Sequence, residues 1–304
     1  MVCQAKIEFM KLPLNNLNYP IRLVIGISSG SGFFISYKSN IYLVTAKHVL
    51  YQEDLVTKAS VAYGDKLRIL CYTLSKEKIS DIPRIYEVDV QQVTKDKNLL
   101  VHDSVDLVIL KLGYLNDDNK GVKFSTGITK VQDSEGSIVN YDMDGSRKFD
   151  SVEITNDIFV LGYPSSVGVE KQIDPDFPLA RKGIVAGKNL LNRTLILDCP
   201  VYGGNSGGLV LEINYEAHCI HLIGIVVQFV PFVDIWENKK FPGLLNKTLQ
   251  NSGYSIAIPV DYIYDLMQKM AQPFLAEQEI PSLAVGSIPT SGVSQSPIVE
   301  AKIA

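Results

Sequence analysis

The chain has 304 residues, 46% of them hydrophobic and 20% charged, with a formal net charge of −4. That is the balance of an ordinary soluble globular protein, and it excludes disordered and collagen-like classes. No basic block stands out, which argues against nucleic-acid partners and against binding to an anionic membrane surface.

The N-terminal stretch MVCQAKIEFMKLPLNN lacks a charged leader followed by an apolar core of about 7–15 residues, so it does not read as a secretory signal. The run LVIGI at 23–27 is too short for a membrane helix and reads as a strand, and no other run reaches spanning length. The four cysteines (Cys3, Cys71, Cys199, Cys219) are irregularly spaced and form no C-x-x-C pair. Free thiols, and with them a cytoplasmic location, are expected.

Strand-like runs then follow one another: IRLVIGI (21–27), GFFISY (32–37), IYLVTA (41–46), KLRILCYTL (66–74), RIYEVDVQQV (84–93) and DLVILKL (106–112). Segment 113–150 is rich in Gly, Asp, Asn and Ser and reads as a connection holding one strand. The strand runs resume with DIFVLGY (157–163), GIVAGK (183–188), TLILDCP (194–200), GLVLEI (208–213), HLIGIVVQFV (221–230) and YSIAIPV (254–260). Short β-rich runs bounded by Gly, Asn, Asp, Ser and Pro predict an all-β sandwich or barrel. In PVDYIYDLMQKM (259–270), Ile263, Leu266, Met267 and Met270 recur at helical spacing and predict one helix, with Asp261 as its N-cap. The Pro-, Ser- and Gly-rich stretch 280–304 reads as a flexible tail.

The stretch VYGGNSGGLVL (201–211) concentrates four glycines around Asn205 and Ser206. A serine hydroxyl is a poor nucleophile unless a base takes its proton. It also needs N–H donors aimed at the oxygen that turns negative during acyl transfer. Glycine lets the backbone turn sharply and approach closely, so the loop suits an exposed Ser206 beside the N–H groups of Gly204 and Ser206. The base should be a histidine, and His48 in IYLVTAKHVL directly follows a strand. An orienting carboxylate completes the set. HDSVDLVILKL offers Asp103 and Asp106; Asp106, at the head of an apolar strand, is preferred, and Asp103 reads as a solvated loop residue.

The segments GSGFFI, LVTAKHV, DLVIL and GGNSGGLVL, with His, Asp and Ser in that order, resemble a chymotrypsin-fold (trypsin-like) serine peptidase. VLGYPSSVG, ARKGIVAG, HLIGIVVQFV and GYSIAIPVDYI resemble the second barrel of the bacterial HtrA/Deg-type branch, and the likeness runs from about residue 20 to 270. The resemblance implies two six-stranded antiparallel β-barrels with the site in the crevice between them. The expected boundaries are an N-terminal segment (1–20), a first barrel (21–130), a connection (131–150), a second barrel with the helix (151–275) and a tail (276–304). It implies a serine endopeptidase with Ser206 as nucleophile, His48 as base, Asp106 orienting His48, and Gly204 with Ser206 forming the oxyanion hole. Protein or peptide substrates are implied, and no cofactor. By alignment, Pro200, Val226, Val227, Gln228 and Tyr254 line the substrate pocket. The absence of an acidic residue there predicts a small or medium apolar residue before the cut.

The sequence departs from the family pattern in several places. Asn205 stands where secreted members carry an aspartate that pairs with a freshly cut N-terminus, so that activation route is not expected. TAKHVL lacks the cysteine after the histidine. With about 30 residues after the helix, a PDZ-like module is not expected there. Segment 51–105 is long for this branch and is expected to carry its own hairpin beside the cleft. HCIH (218–221) does not direct three ligands to one side of a strand, so no metal site is expected. YDMDGSRKFD (141–150) lacks the remaining oxygen ligands of a calcium loop and reads as a solvated turn. Two other readings stay open: a proteolytically silent peptide-binding module of this fold, and a protease gated by an activating protein partner or by its own tail.

Overall fold

Several strands are apolar on both faces, and the structure shows why. The computed structural model describes residues 14–75, 78–116, 121–165, 174–237, 243 and 245–271. Most strands of the first half join one ten-stranded sheet, whose main path runs Leu99–Val101, Val108–Leu115, Asn40–Thr45, Ser28–Tyr37, Pro20–Ile25, Lys66–Cys71, Arg84–Asp89, Ile128–Gln132. Its one parallel contact sets Tyr141–Asp142 against Ile35–Ser36. The second half is a closed barrel of six strands: Asp157–Gly162, Leu179–Asn189, Thr194–Asp198, Leu245–Pro259, Cys219–Glu237 and Leu209–Asn214. Two barrel-like β units with a C-terminal helix form a chymotrypsin-like fold. The first sheet has four strands beyond the six expected: Leu99–Val101, and three from the connection, Val122–Phe124, Ile128–Gln132 and Tyr141–Asp142.

Along Ser28–Tyr37, Phe34 fills the first unit, while Phe33 and Ile35 face the second. Tyr42, Val44, Leu107 and Ile109 join them, and Leu161, Leu209, Leu211, Ile225 and Ile258 pack from the barrel side. A strand buried on both faces must be apolar at consecutive positions, as FFI and YLVT are. The helix Asp261–Ala271 closes this interface with Ile263, Leu266 and Met267.

Four expectations need correction. Asp261 does not cap its helix; it is the first helical residue, and its carboxylate accepts the Phe149 N–H (2.8 Å) and faces Arg193 Nη2 (3.3 Å). The run 84–93 is not one strand: Asp89 accepts the Gln92 N–H and starts a helix at Val90–Lys95. The strand expected to stop at residue 230 continues to Glu237, because a register shift between Phe229 and Pro231 absorbs the proline. The result is a long two-stranded ribbon, on which Phe232, Ile235, Trp236 and Leu249 are exposed. Finally, YDMDGSRKFD is no solvated turn, since Tyr141, Met143 and Phe149 are buried and Arg147 reaches Glu212.

Glu212 is fully buried; Arg147 Nη1 lies 2.8 Å from Oε2, and Oε1 accepts bonds from Glu153 N (3.2 Å) and Asn156 Nδ2 (3.0 Å). Arg147→Ala would strand this carboxylate. Denaturant unfolding should show a loss of about 3–5 kcal/mol, the usual cost of an uncompensated buried charge. Cys71, Cys199 and Cys219 are free thiols; Cys3 and the expected tail lie outside the described residues. No described helix is long and apolar enough to cross a membrane.

Candidate active site

The sheet register brings His48 and Asp106 together. Val108 pairs with Thr45 on neighbouring antiparallel strands, so both chains leave the sheet at the same end. Ala46 (0% exposed) leads into a single helical turn, Lys47–Leu50, whose Val49 and Leu50 are buried. His48 therefore projects from a turn pinned on both sides. Asp106 precedes Leu107, which is fully buried. One Asp106 oxygen accepts the His48 backbone N–H (2.9 Å), and the other lies 2.5 Å from His48 Nδ1. Burial raises the Asp106 pKa, but the His48 ring, its charge and the backbone N–H groups of His48 and Lys47 outweigh that, so the carboxyl sits below its ordinary value. Asp103 turns instead to Lys269 Nζ (2.7 Å), in solvent. The expected hairpin in segment 51–105 is present: Tyr51–Glu53 pairs with Ser60–Ala62, and Tyr51, Gln52 and Ser60 line a cleft shared with His48.

Ser206 comes from the loop between Thr194–Asp198 and Leu209–Asn214 of the barrel. His48 and Ser206 line one small cleft of about 190 Å³, together with Val201, Tyr202, Gly203 and Val226–Phe229. Of the expected pocket residues, Val226, Val227 and Gln228 are there. Pro200 and Tyr254 do not line it; Tyr254 sits opposite Asp198 and is 45% exposed. Val201, Tyr202, Gly203 and Phe229 were not anticipated.

The loop's backbone groups can be accounted for one by one. The Gly203 carbonyl accepts from Ser165 N (2.9 Å) and Ser165 Oγ (3.3 Å). The Gly204 carbonyl accepts from Ser31 Oγ (2.6 Å), Asn205 O from Gly208 N (2.8 Å) and Ser206 O from Ser31 N (2.9 Å). Among donors, Asn205 N binds Tyr202 O (3.0 Å) and Gly207 N binds Val226 O (2.7 Å). The N–H groups of Gly204 and Ser206 donate to no other described residue. In a trans peptide the N–H points opposite the C=O. Four consecutive anchored carbonyls thus fix four peptide planes and leave two donors over.

Gly204 has φ +93°, and a Cβ there would lie 2.3 Å from Tyr163 O, so only glycine fits. Asn205 is buried, and its side-chain oxygen accepts the Tyr202 N–H (3.0 Å), closing the loop on itself. Sequence reasoning did not single out Ser31 or Ser165. Both lie in quoted segments, GSGFFI and GYPSS, but nothing local marks either as a partner of residues 203–206. Elsewhere, Cys219 Sγ and His221 Nε2 lie 3.2 Å apart on one strand face. Among the described residues no three His, Cys, Asp or Glu side chains form a metal-binding group.

The family model described as trypsin-like peptidase domain matches residues 30–218, more than half of the chain. No curated protein sequence matches. Among solved structures, the HtrA-type protease AlgW with tripeptide is 17% identical, with 84% of this chain and 60% of that chain covered and a TM-score of 0.44. Deg5 is 17% identical over 82% of this chain and 90% of that chain, with a TM-score of 0.43. A thermostable serine protease, AL20, from an extremophilic microorganism is 9% identical over 83% and 95%, with a TM-score of 0.48. The chain spans about 60% of the length of the AlgW chain it matches. The family match rests on the sequence itself. The chain belongs to the trypsin-like peptidase family.

Proposed function

We propose that the chain is a serine endopeptidase that cuts peptide bonds through an acyl-enzyme. The observation that carries this reading is one cleft lined by both Ser206 and His48, with Asp106 on the His48 ring and the N–H groups of Gly204 and Ser206 bound to no other described residue. His48 takes the Ser206 proton as Oγ attacks the scissile carbonyl carbon. The carbonyl oxygen becomes an anion and takes the N–H groups of Gly204 and Ser206. The C–N bond then breaks, and His48 returns the proton to the leaving amine. Water repeats the sequence to release the acid and restore Ser206. Asp106 holds the ring with Nδ1–H toward itself, which leaves Nε2 free to accept a proton.

The cleft lining supports a small or medium apolar residue on the acyl side of the cut. Val201, Val226 and Val227 supply apolar walls, and none of the lining residues is acidic.

Intact mass after fluorophosphonate treatment tests the reading, followed by cleavage of a peptide library. A single adduct mapped to Ser206, with small or apolar residues before the cut, is the expected result. No adduct on the wild-type protein would sink the assignment of an activated nucleophile in the isolated chain, and basic residues before the cut would sink the specificity.

A further inference from the structure

Of the four carbonyls anchored in the 203–206 loop, Ser31 holds two. Its N–H binds the Ser206 carbonyl and its hydroxyl donates to the Gly204 carbonyl. The same hydroxyl accepts the Tyr163 N–H at 2.8 Å. Ser31 belongs to the first sheet and is fully buried, and its own carbonyl accepts from Thr45 Oγ1 (2.7 Å). One side chain therefore ties a strand of the first unit to two separate segments of the second.

Resting on the function proposed above, we propose that Ser31 is a positioning residue for acyl transfer, its hydroxyl holding the Gly204 backbone so that the Gly204 N–H stays turned toward the cleft. The peptides on either side of the Gly204 Cα are both anchored, 203–204 by Ser165 and 204–205 by Ser31 and Tyr202. Their relative orientation sets φ and ψ at Gly204. Glycine populates φ > 0 and φ < 0 about equally, so the residue itself has no preference for +93°. The anchors supply it. Without the Ser31 hydroxyl, the Gly204 carbonyl and the Tyr163 N–H are both left without a partner in a buried place. The cheapest way to satisfy the carbonyl is to rotate the 204–205 peptide toward water, which frees ψ at Gly204 and leaves the 203–204 peptide, now held by Ser165 alone, free to turn its Gly204 N–H from the oxyanion position.

The test is Ser31→Ala, isosteric but for the hydroxyl, with Ser31→Cys as a variant that keeps a weaker donor. Exhaustive fluorophosphonate labelling counts competent sites, and turnover is expressed per labelled site. Losing an oxyanion donor outright costs about 10²–10³ in kcat, so a loosened donor should cost about 10–100-fold, at a KM changed by less than about two-fold. Affinity for a peptide boronic acid, which presents a bound oxyanion, should fall by a similar factor, and Ser31→Cys should lie between. A merely structural role would lower the number of labelled sites and leave the turnover of each intact.

Per-site kcat within about two-fold of wild type in Ser31→Ala, or a raised KM at unchanged kcat, overturns the proposal. If Ser31→Ala does not fold, Ser31→Cys is judged by the same criteria; if neither folds, Ser31 is a structural residue and the proposal falls. A wild-type protein that neither labels nor cleaves would count against the proposed function instead. A crystal structure of Ser31→Ala then decides the present point without activity, since an unmoved Gly203–Gly204 peptide overturns it.

Discussion

Ser206→Ala should abolish peptide cleavage, with a loss of about 10⁶ in kcat, the scale seen when a triad nucleophile is removed. The size follows from what the hydroxyl alone does. Without it no acyl-enzyme forms, and the remaining route is attack by water on a carbonyl polarised by the two backbone donors. Those donors should survive the substitution. The loop at Ser206 is held through backbone atoms, Ser206 O to Ser31 N and Gly207 N to Val226 O, and neither bond involves the removed oxygen. The variant should therefore fold, keep its KM, and retain about 10³–10⁴ of rate over water. Steady-state kinetics on a cleaved peptide checks this. Turnover within about ten-fold of wild type would remove Ser206 from the role of nucleophile.

The second large effect concerns Asp106→Asn, for which we expect kcat to fall by about 10⁴, as amide substitution does in other triads. One Asp106 oxygen faces the His48 backbone N–H and the other the His48 ring at Nδ1. A carboxylate accepts both. An asparagine of the same shape has one acceptor oxygen and one NH2 group. If the oxygen keeps the backbone N–H, the NH2 faces Nδ1, and the ring must carry its proton on Nε2. A ring protonated there cannot take the proton from Ser206. The loss should therefore appear in kcat with the fold intact, and it should shrink at high pH, where hydroxide can replace the missing base. A loss of less than about ten-fold would show that Asp106 does not set the tautomer.

The same carboxyl gives a sign for pH. Its folded pKa lies below the unfolded value, so its stabilising contribution is present above the unfolded pKa of about 4 and is lost as the pH falls through the folded value.

Much of this site is legible in the chain because its signals are local. A glycine cluster around Ser206, a histidine at a strand end and an aspartate before an apolar strand are each visible within ten residues. The structure sets Asp106 on His48 and Ser206 in a cleft with His48, while Asp103 faces Lys269. What could not be read is non-local. Ser31 acquires its role only because a strand of one unit passes against residues 163 and 204 of the other. The Asp89 cap competed with a run of β-formers at 84–93 and won, since a carboxylate can satisfy a helix N–H that a strand would spend elsewhere. Pro231 reads as a stop, yet a bulge removes the need for its missing N–H. Arg147 looks like a solvated charge until Glu212, 65 positions along, is seen to be buried beneath it.

The Ser31 hydroxyl meets the Gly204 carbonyl across 173 positions of sequence. Contacts of such separation form late, after each unit has collapsed around its own local pairings. The second barrel can close through its own ladders, but two of the four carbonyls that hold its 203–206 loop find their donors on the first unit. On the proposed function, chemical competence would then be a property of the docked pair, gained only when the two units meet. A chain still emerging from synthesis would carry His48 and Asp106 long before the 203–206 loop has its Ser31 anchors.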